Sequence, residues 1–378
     1  MLGSLPNVST RVVDATPLTC TPEVANLQGR GKQAFTVMQD IVECVPNISE
    51  GRDLEAIEAI ANVAAATPGV TVLGVEPDAD YNRTVITFAG PLEAVEQAAI
   101  DLSVAAINAI DMRTHSGEHP RLGVVDVCPF VPIAGVSMDA CAAAAKRVAI
   151  AVHEATKAPT FLYGHAAQND ERSRLSYLRK GEYEGLKERL QGGTDRLPDH
   201  GHEEGWTEAA ARSGGCTYGA RPVLVAYNVN VPERDARVAK VVGSLLRGSG
   251  RIIARNDEGV LRATGMLESV QGMGVVLEGH GISQVSMNLT NVDKHGMLHA
   301  FEAVRSLAAD HGLDVVGSEL VGLVPLETML EAGRWYAPQA KEEADLVRAA
   351  VEGLGLDSLG PFDPATRIIE YAIREAAA

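Results

Sequence analysis

The sequence predicts an α/β (α+β) fold made of two ferredoxin-like β-α-β-β-α-β subdomains with a ligand cleft between them. Short β-branched runs alternate with stretches whose apolar residues recur at helical spacing. The same order of elements occurs in both halves of the chain. The 378 residues, 46% apolar and 22% charged, suffice for two or three ordinary globular domains of ~150 residues each.

In the first half, residues 41–45 form a short β-branched strand. Residues 53–66 follow at helical period, with Asp53 placed to cap the helix. Residues 70–75 and 83–89 read as strands around a loop of Pro, Asp and Asn. The Ala-rich stretch 92–110 is a long helix, and 122–130 a strand ended by Pro129 and Pro132. A helix at 139–155 and a strand at 160–163 extend the unit. The second half repeats the order: strand 223–231, helix 233–246, a strand-like segment in 260–278, strand 282–289, helix 298–311 and strand 313–316. Helical patterns at 327–336, 342–353 and 365–375 close the chain, with Pro361 and Pro364 separating the last two. Two sheets with helices on one face are expected. The stretch 192–219, rich in Gly, His, Asp and Glu, has no clear period, and is equally a linker or a functional loop.

Composition excludes several classes. A net charge of −17 opposes binding to nucleic acid or an anionic membrane. No apolar run reaches the ~18–20 residues of a membrane helix. Residues 1–40 have no signal-like apolar core and read as an extension outside the main fold. Cys20, Cys44, Cys128, Cys141 and Cys216 are far apart with no C-x-x-C pair, which fits a reducing cytoplasm rather than a zinc cluster or disulfide framework.

The densest chemistry lies in His115-Ser-Gly-Glu118-His119-Pro-Arg121, with Asp126 just beyond. His119, whose ordinary pKa is near neutrality, is the candidate general acid/base. His115 to His119 also matches the H-x-x-E-H pattern of some zinc peptidases, but that pattern needs a helix to bring both rings to one metal. Gly117 inside it and Pro120 after it oppose a helix, so no metal is expected. A loop without chemistry is the plain alternative. Arg83 follows the acidic loop of Glu76, Asp78 and Asp80, and either grips a carboxylate or pairs with those acids. The glycines of Gly214-Gly215-Cys-Thr-Tyr-Gly-Ala-Arg221 allow a ligand's close approach or simply a turn. They match neither a dinucleotide fingerprint nor a P-loop, and no G-x-S-x-G elbow is present.

The segments 42–51 (VECVPNISEG), 82–88 (NRTVITF), 117–121 (GEHPR) and 126–130 (DVCPF) resemble the formiminotransferase family. So do 219–221 (GAR) with 226–230 (AYNVN), 284–290 (QVSMNLT), 317–325 (GSELVGLVP) and 361–364 (PFDP), in the same order over about residues 41–375. The resemblance implies two α/β subdomains of similar fold with a folate-binding tunnel between them, and a homodimer. It implies transfer of a formimino group from N-formimino-L-glutamate to N5 of tetrahydrofolate, as co-substrate, in histidine catabolism and one-carbon metabolism. His119 takes the place of the family's catalytic histidine, and Asn82 and Arg83 lie by the pterin and formimino group. Glu76 stands where the family often has Asp. The loop ending at Gly214 and Gly215 becomes a folate-binding loop. Glu76, Glu118 and Asp126 are then candidate carboxylate partners for the cationic amidine, and Arg83, Arg121 and Arg221 candidate grips for substrate and folate carboxylates. The expected partition is an extension at 1–40, an N-terminal subdomain at 41–219, a C-terminal subdomain at 220–330 and C-terminal helices at 331–378. The chain stops soon after Asp363, so a separate cyclodeaminase is expected. Other readings are another donor on the same fold, N-formylglutamate or formiminoglycine, a non-catalytic folate-binding protein, or a zinc hydrolase using His115 and His119.

Overall fold

A computed structural model describes residues 40–192, 196–256 and 259–376; nearly all of the 1–40 extension lies outside them. The first half opens with β1 (Ile41–Cys44) and β2 (Asn47–Ile48), two pieces of one lane interrupted at Val45-Pro46. Helix α1 (Leu54–Ala65) follows, its first turn capped by Asp53, which accepts a hydrogen bond from the Ala56 amide at 3.0 Å. Then come β3 (Thr71–Asp78), β4 (Arg83–Gly90), α2 (Leu92–Ala109), β5 (Val125–Ala134), α3 (Met138–Thr156) and β6 (Thr160–Gly164). Across the sheet the lanes run β3, β4, β1/β2, β5. That is the antiparallel order of a ferredoxin-like unit, as the sequence predicts.

Four short helices come next: α4 (Asp170–Ser173), α5 (Leu175–Arg179), α6 (Leu186–Gly192) and α7 (Glu208–Ser213). Strand β7 (Cys216–Ala220) then inserts between β5 and β6, parallel to both, with all five residues buried. The last part of the 192–219 stretch is therefore regular structure, a helix and a strand. Its strand escapes a periodicity reading because Cys-Thr-Tyr-Gly-Ala is short and buried on both faces.

Strand β5 also corrects the sequence reading, since it passes through Pro129 and Pro132 to Ala134. Opposite residues 128–129 the neighbouring lane is broken at Val45-Pro46, so the missing Pro129 amide interrupts no ladder there. Pro132 lies beyond the last β7 pair, Phe130 with Ala220, and beside an irregularity in the β1 register.

In the second half β8 (Val225–Val231), α8 (Arg237–Leu246), β9 (Arg251–Asn256), β10 (Gly259–Ala263), β11 (Val270–Leu277), β12 (Ile282–Leu289), α9 (Met297–Ala309) and β13 (Ser318–Val321) follow. The sheet order β11, β12, β8, β13 repeats that of the first unit. The strand-like 260–278 resolves into β11 and one arm of the β9–β10 hairpin. The last strand lies later than residues 313–316. Ser318 pairs with Val229, so residue 316 already reaches Val231, the end of β8, and residues before it lie beyond that strand. Helices α10 (Leu326–Tyr336), α11 (Glu343–Leu354), α12 (Pro364–Arg367) and α13 (Ile369–Ala376) finish the fold. Ile368 bridges to Val324 and breaks the expected 365–375 helix into the last two.

Strand alternation sorts the faces. Val42, Cys44, Ile86, Phe88 and Phe130 turn to α1–α3, where Ala144, Ala145 and Ala149 let α3 approach closely. On the opposite face Val127, Phe161 and Tyr163 pack with Leu178, Leu186 and Leu190 of the short helices. Helices thus cover parts of both faces of the first sheet. In the second sheet Val225, Tyr227 and Val229 face α8 and α9, and Val131 of β5 joins this second core.

Candidate functional site

The candidate residues gather at the end of the first sheet where β4 starts, on the face turned away from α1–α3. Asn82 carries the chain into β4 with φ 48°, a left-handed conformation that Asn tolerates better than most residues. Its Oδ1 accepts from the Gly51 amide, its Nδ2 donates to the Ser116 carbonyl, and its own carbonyl accepts from His115 Nε2, each at 2.9 Å. One asparagine thus pins two loops onto the turn, and both ends of its carboxamide are used within the protein. The glycines explain how these loops come so close. A Cβ on Gly51 would stand 2.1 Å from the Asp78 carbonyl oxygen, and one on Gly117 2.2 Å from that of Tyr81.

The pinned 115–119 segment is an irregular bend, not the helix that the H-x-x-E-H reading requires. It brings His119 to Arg83, whose Nη1 donates to His119 Nε2. A guanidinium only donates, so Nε2 is the acceptor and the neutral ring carries its proton on Nδ1. Burial first, then the Arg83 charge, holds the His119 pKa below 6.5, while Asp126 pulls the other way. The Tyr81 ring stands edge-on to His119 at 5.9 Å between centroids. His119 Nδ1 and Arg83 Nε are buried with no hydrogen bond among the described residues. Burial also lowers the Arg83 pKa.

Asp126 sits where two residues of β5 face one step of β2, a bulge that re-aims its side chain. Its carboxylate, 1% exposed, accepts from the Leu122 amide at 3.0 Å and from Arg179 Nε at 3.1 Å, and also pairs with Arg179 Nη2. Arg121 is occupied as well: it holds Glu182 at 3.1 Å and Glu184 at 2.5 Å. Glu118 is exposed on the bend, and Glu76 is exposed on β3 in register with Val85. Gly214 and Gly215 are buried against Leu122 and Phe161, where a Cβ on either would come within 2.5 Å of them. Arg221 is remote from His119. Its amide bonds to Phe130, several β5 residues from Asp126, which at ~3.3 Å per residue is on the order of 15 Å along the strand.

The structure therefore joins His119, Arg83, Asn82 and Asp126, and leaves Arg221 at the far end of the same face. The sequence reading missed Arg179, whose charge acts on both His119 and Arg83. It lies in a short helix without a motif, and only its contact with Asp126 reveals it. A cavity of about 640 Å³ does lie between the halves, lined by residues such as Ala134, Met138, Val292 and Arg334. It adjoins the C-terminal end of β5, away from His119, so the chemistry and this cavity do not coincide.

Residues 41–221 match the formiminotransferase domain, N-terminal subdomain, and residues 226–374 the formiminotransferase domain. The chain is 41% identical over 344 residues to formimidoyltransferase-cyclodeaminase of Rattus norvegicus, covering 90% of this chain and 61% of that protein's length. It is 37% identical to glutamate formimidoyltransferase of Streptococcus pyogenes serotype M1, covering 79% and 94% respectively. The protein of that name from Thermoplasma acidophilum is 36% identical, with 78% and 92% covered. The matches run through both ferredoxin-like units and the His119 bend, and the chain belongs to the formiminotransferase family.

Proposed function

We propose that this chain transfers the formimino group of N-formimino-L-glutamate to N5 of tetrahydrofolate. The observation that carries the reading is a neutral, half-buried His119 held beside Arg83 on loops pinned by Asn82. The relatives named glutamate formimidoyltransferase support the same activity.

The residues suit such ligands. Arg83 Nε and His119 Nδ1 are buried and have no hydrogen bond among the described residues. The sheet face from His119 to Arg221 is long enough for an elongated molecule with a reacting ring at one end and carboxylates at the other. Tetrahydrofolate, as co-substrate, would supply a nucleophilic secondary amine. His119 Nε2 takes the proton released there and returns one to the departing amine of glutamate. To do so it must give up its bond to Arg83, whose guanidinium then turns to a substrate carboxylate. Glu76, exposed across Val85, is the carboxylate best placed to face a cationic amidine. Asp126 acts through Arg179, whose charge helps to keep His119 neutral. Arg221 meets the carboxylate tail of the folate. The partition at 41–219, 220–330 and 331–378, a homodimer and a cytoplasmic location belong to the same reading. Among the described residues no helix is long and apolar enough to cross a membrane.

The test mixes purified protein with tetrahydrofolate and N-formimino-L-glutamate and follows 5-formiminotetrahydrofolate by absorbance, with N-formylglutamate in parallel. His119→Ala is expected to lower kcat by roughly 10²–10⁴. Turnover near wild type in that variant removes His119 from the mechanism, and no product from wild type refutes the transferase reading.

A further inference from the structure

We propose that Asn47 is a specificity-determining residue of this site, its side-chain oxygen accepting a hydrogen bond from an N–H group of the ligand; the proposal rests on the transferase reading above. Asn47 lies on β2 directly between Val85 of β4 and Val127 of β5. Its neighbour Ile48 packs in the core beneath α1–α3, so alternation turns Asn47 to the opposite face, the face of Val127 and Arg83.

The side chain is 4% exposed. Its Nδ2 donates to the Val45 carbonyl at 2.9 Å. That bond identifies the ends of the carboxamide, because only the nitrogen end can meet a carbonyl. The end left over is therefore Oδ1, and it is buried with no hydrogen bond among the described residues. A buried acceptor without a partner is costly, and a native structure keeps one where something else satisfies it. Arg83, whose Nε is another buried atom with no hydrogen bond among the described residues, lies two residues along β4 from Val85, the partner of Asn47, and its Nη1 reaches His119.

The neighbours narrow the ligand chemistry. Glu76 pairs with Val85 from the other side, so Glu76 and Asn47 flank Val85 on one row of the sheet. Two acceptors, one of them anionic, repel a carboxylate and favour a group rich in N–H donors. The amidine of the formimino donor and the amino edge of a reduced pterin both qualify, and the substrate's glutamate carboxylates do not.

The experiment compares wild type with Asn47→Ala in equilibrium binding of two probes, with thermal unfolding alongside. 5-Formyltetrahydrofolate carries the pterin edge without an amidine, and N-formimino-L-glutamate the amidine without a pterin. The expected result is an affinity about tenfold weaker for one probe and unchanged for the other, the size of one lost hydrogen bond. Weaker 5-formyltetrahydrofolate assigns the pterin, and weaker N-formimino-L-glutamate the amidine. Both affinities within twofold of wild type overturn the proposal. Should Asn47→Ala lose both probes together with its melting temperature, Asn47→Asp, which keeps an acceptor, is compared instead. Binding of one probe near the wild-type level then upholds the assignment, and loss of both overturns it. Failure of the transferase reading is separate and shows in wild type alone, as binding of neither probe.

Discussion

Glu43→Gln tests how the open face of the first sheet is held. Glu43 lies on β1 between Ala89 and Val131 and is 8% exposed. Burial pushes its pKa from 4.5 up to about 7, with Arg221 opposing and Glu370 of α13 adding to the rise. A carboxyl whose pKa is raised on folding favours the native state at low pH, where both states are protonated. That advantage is lost as pH rises through the folded value. At ~1.4 kcal/mol per pH unit, wild type should lose about 2.5 kcal/mol relative to the Gln variant between about pH 5 and pH 8.5. Urea unfolding of both proteins at those two pH values measures it, the variant cancelling all other titrating groups. A gap that is equal at both pH values would show that Glu43 does not titrate differently in the folded and unfolded chains.

Two further outcomes follow from the site. His119 must be neutral to accept a proton and its pKa is held below 6.5, so kcat/KM should be flat near neutrality and fall only below pH 6.5. An acid limb centred above pH 7 contradicts that assignment. Arg179→Ala strands Asp126, 1% exposed, with the Leu122 amide as its remaining side-chain partner, and should cost about 3–5 kcal/mol in urea unfolding. Adding Asp126→Asn should recover most of the loss, and a single-variant cost under about 1 kcal/mol would show the pair to be dispensable.

Much of the site was legible because its signals are local. Gly117 and Pro120 deny residues 115–119 a helix, and the structure has a bend there. Asn82 before a β-branched run marks a turn into a strand, and it adopts the left-handed conformation that such a turn uses. Arg121 and Asp126, in contrast, could not be read correctly as free charges. Their partners Glu184 and Arg179 lie 63 and 53 residues along the chain. The same limit hid β7, a five-residue run whose strand character comes from being clamped between β5 and β6.

By itself the sequence determined the two β-α-β-β-α-β units, because helical and strand periods are set by which neighbouring side chains must face a core. It also determined the loop around His119, through glycine and proline chemistry acting on their own backbone. Which cations stay available to a ligand depends on the packing of distant segments: Arg121 is consumed by Glu184 and Arg179 by Asp126, while Arg83 is left against His119. Only the tertiary structure decided that Asn47 Oδ1 ends buried with no donor among the described residues. Those outcomes depend on groups brought together across the sheet, and no local pattern carries the information about which distant charge will arrive.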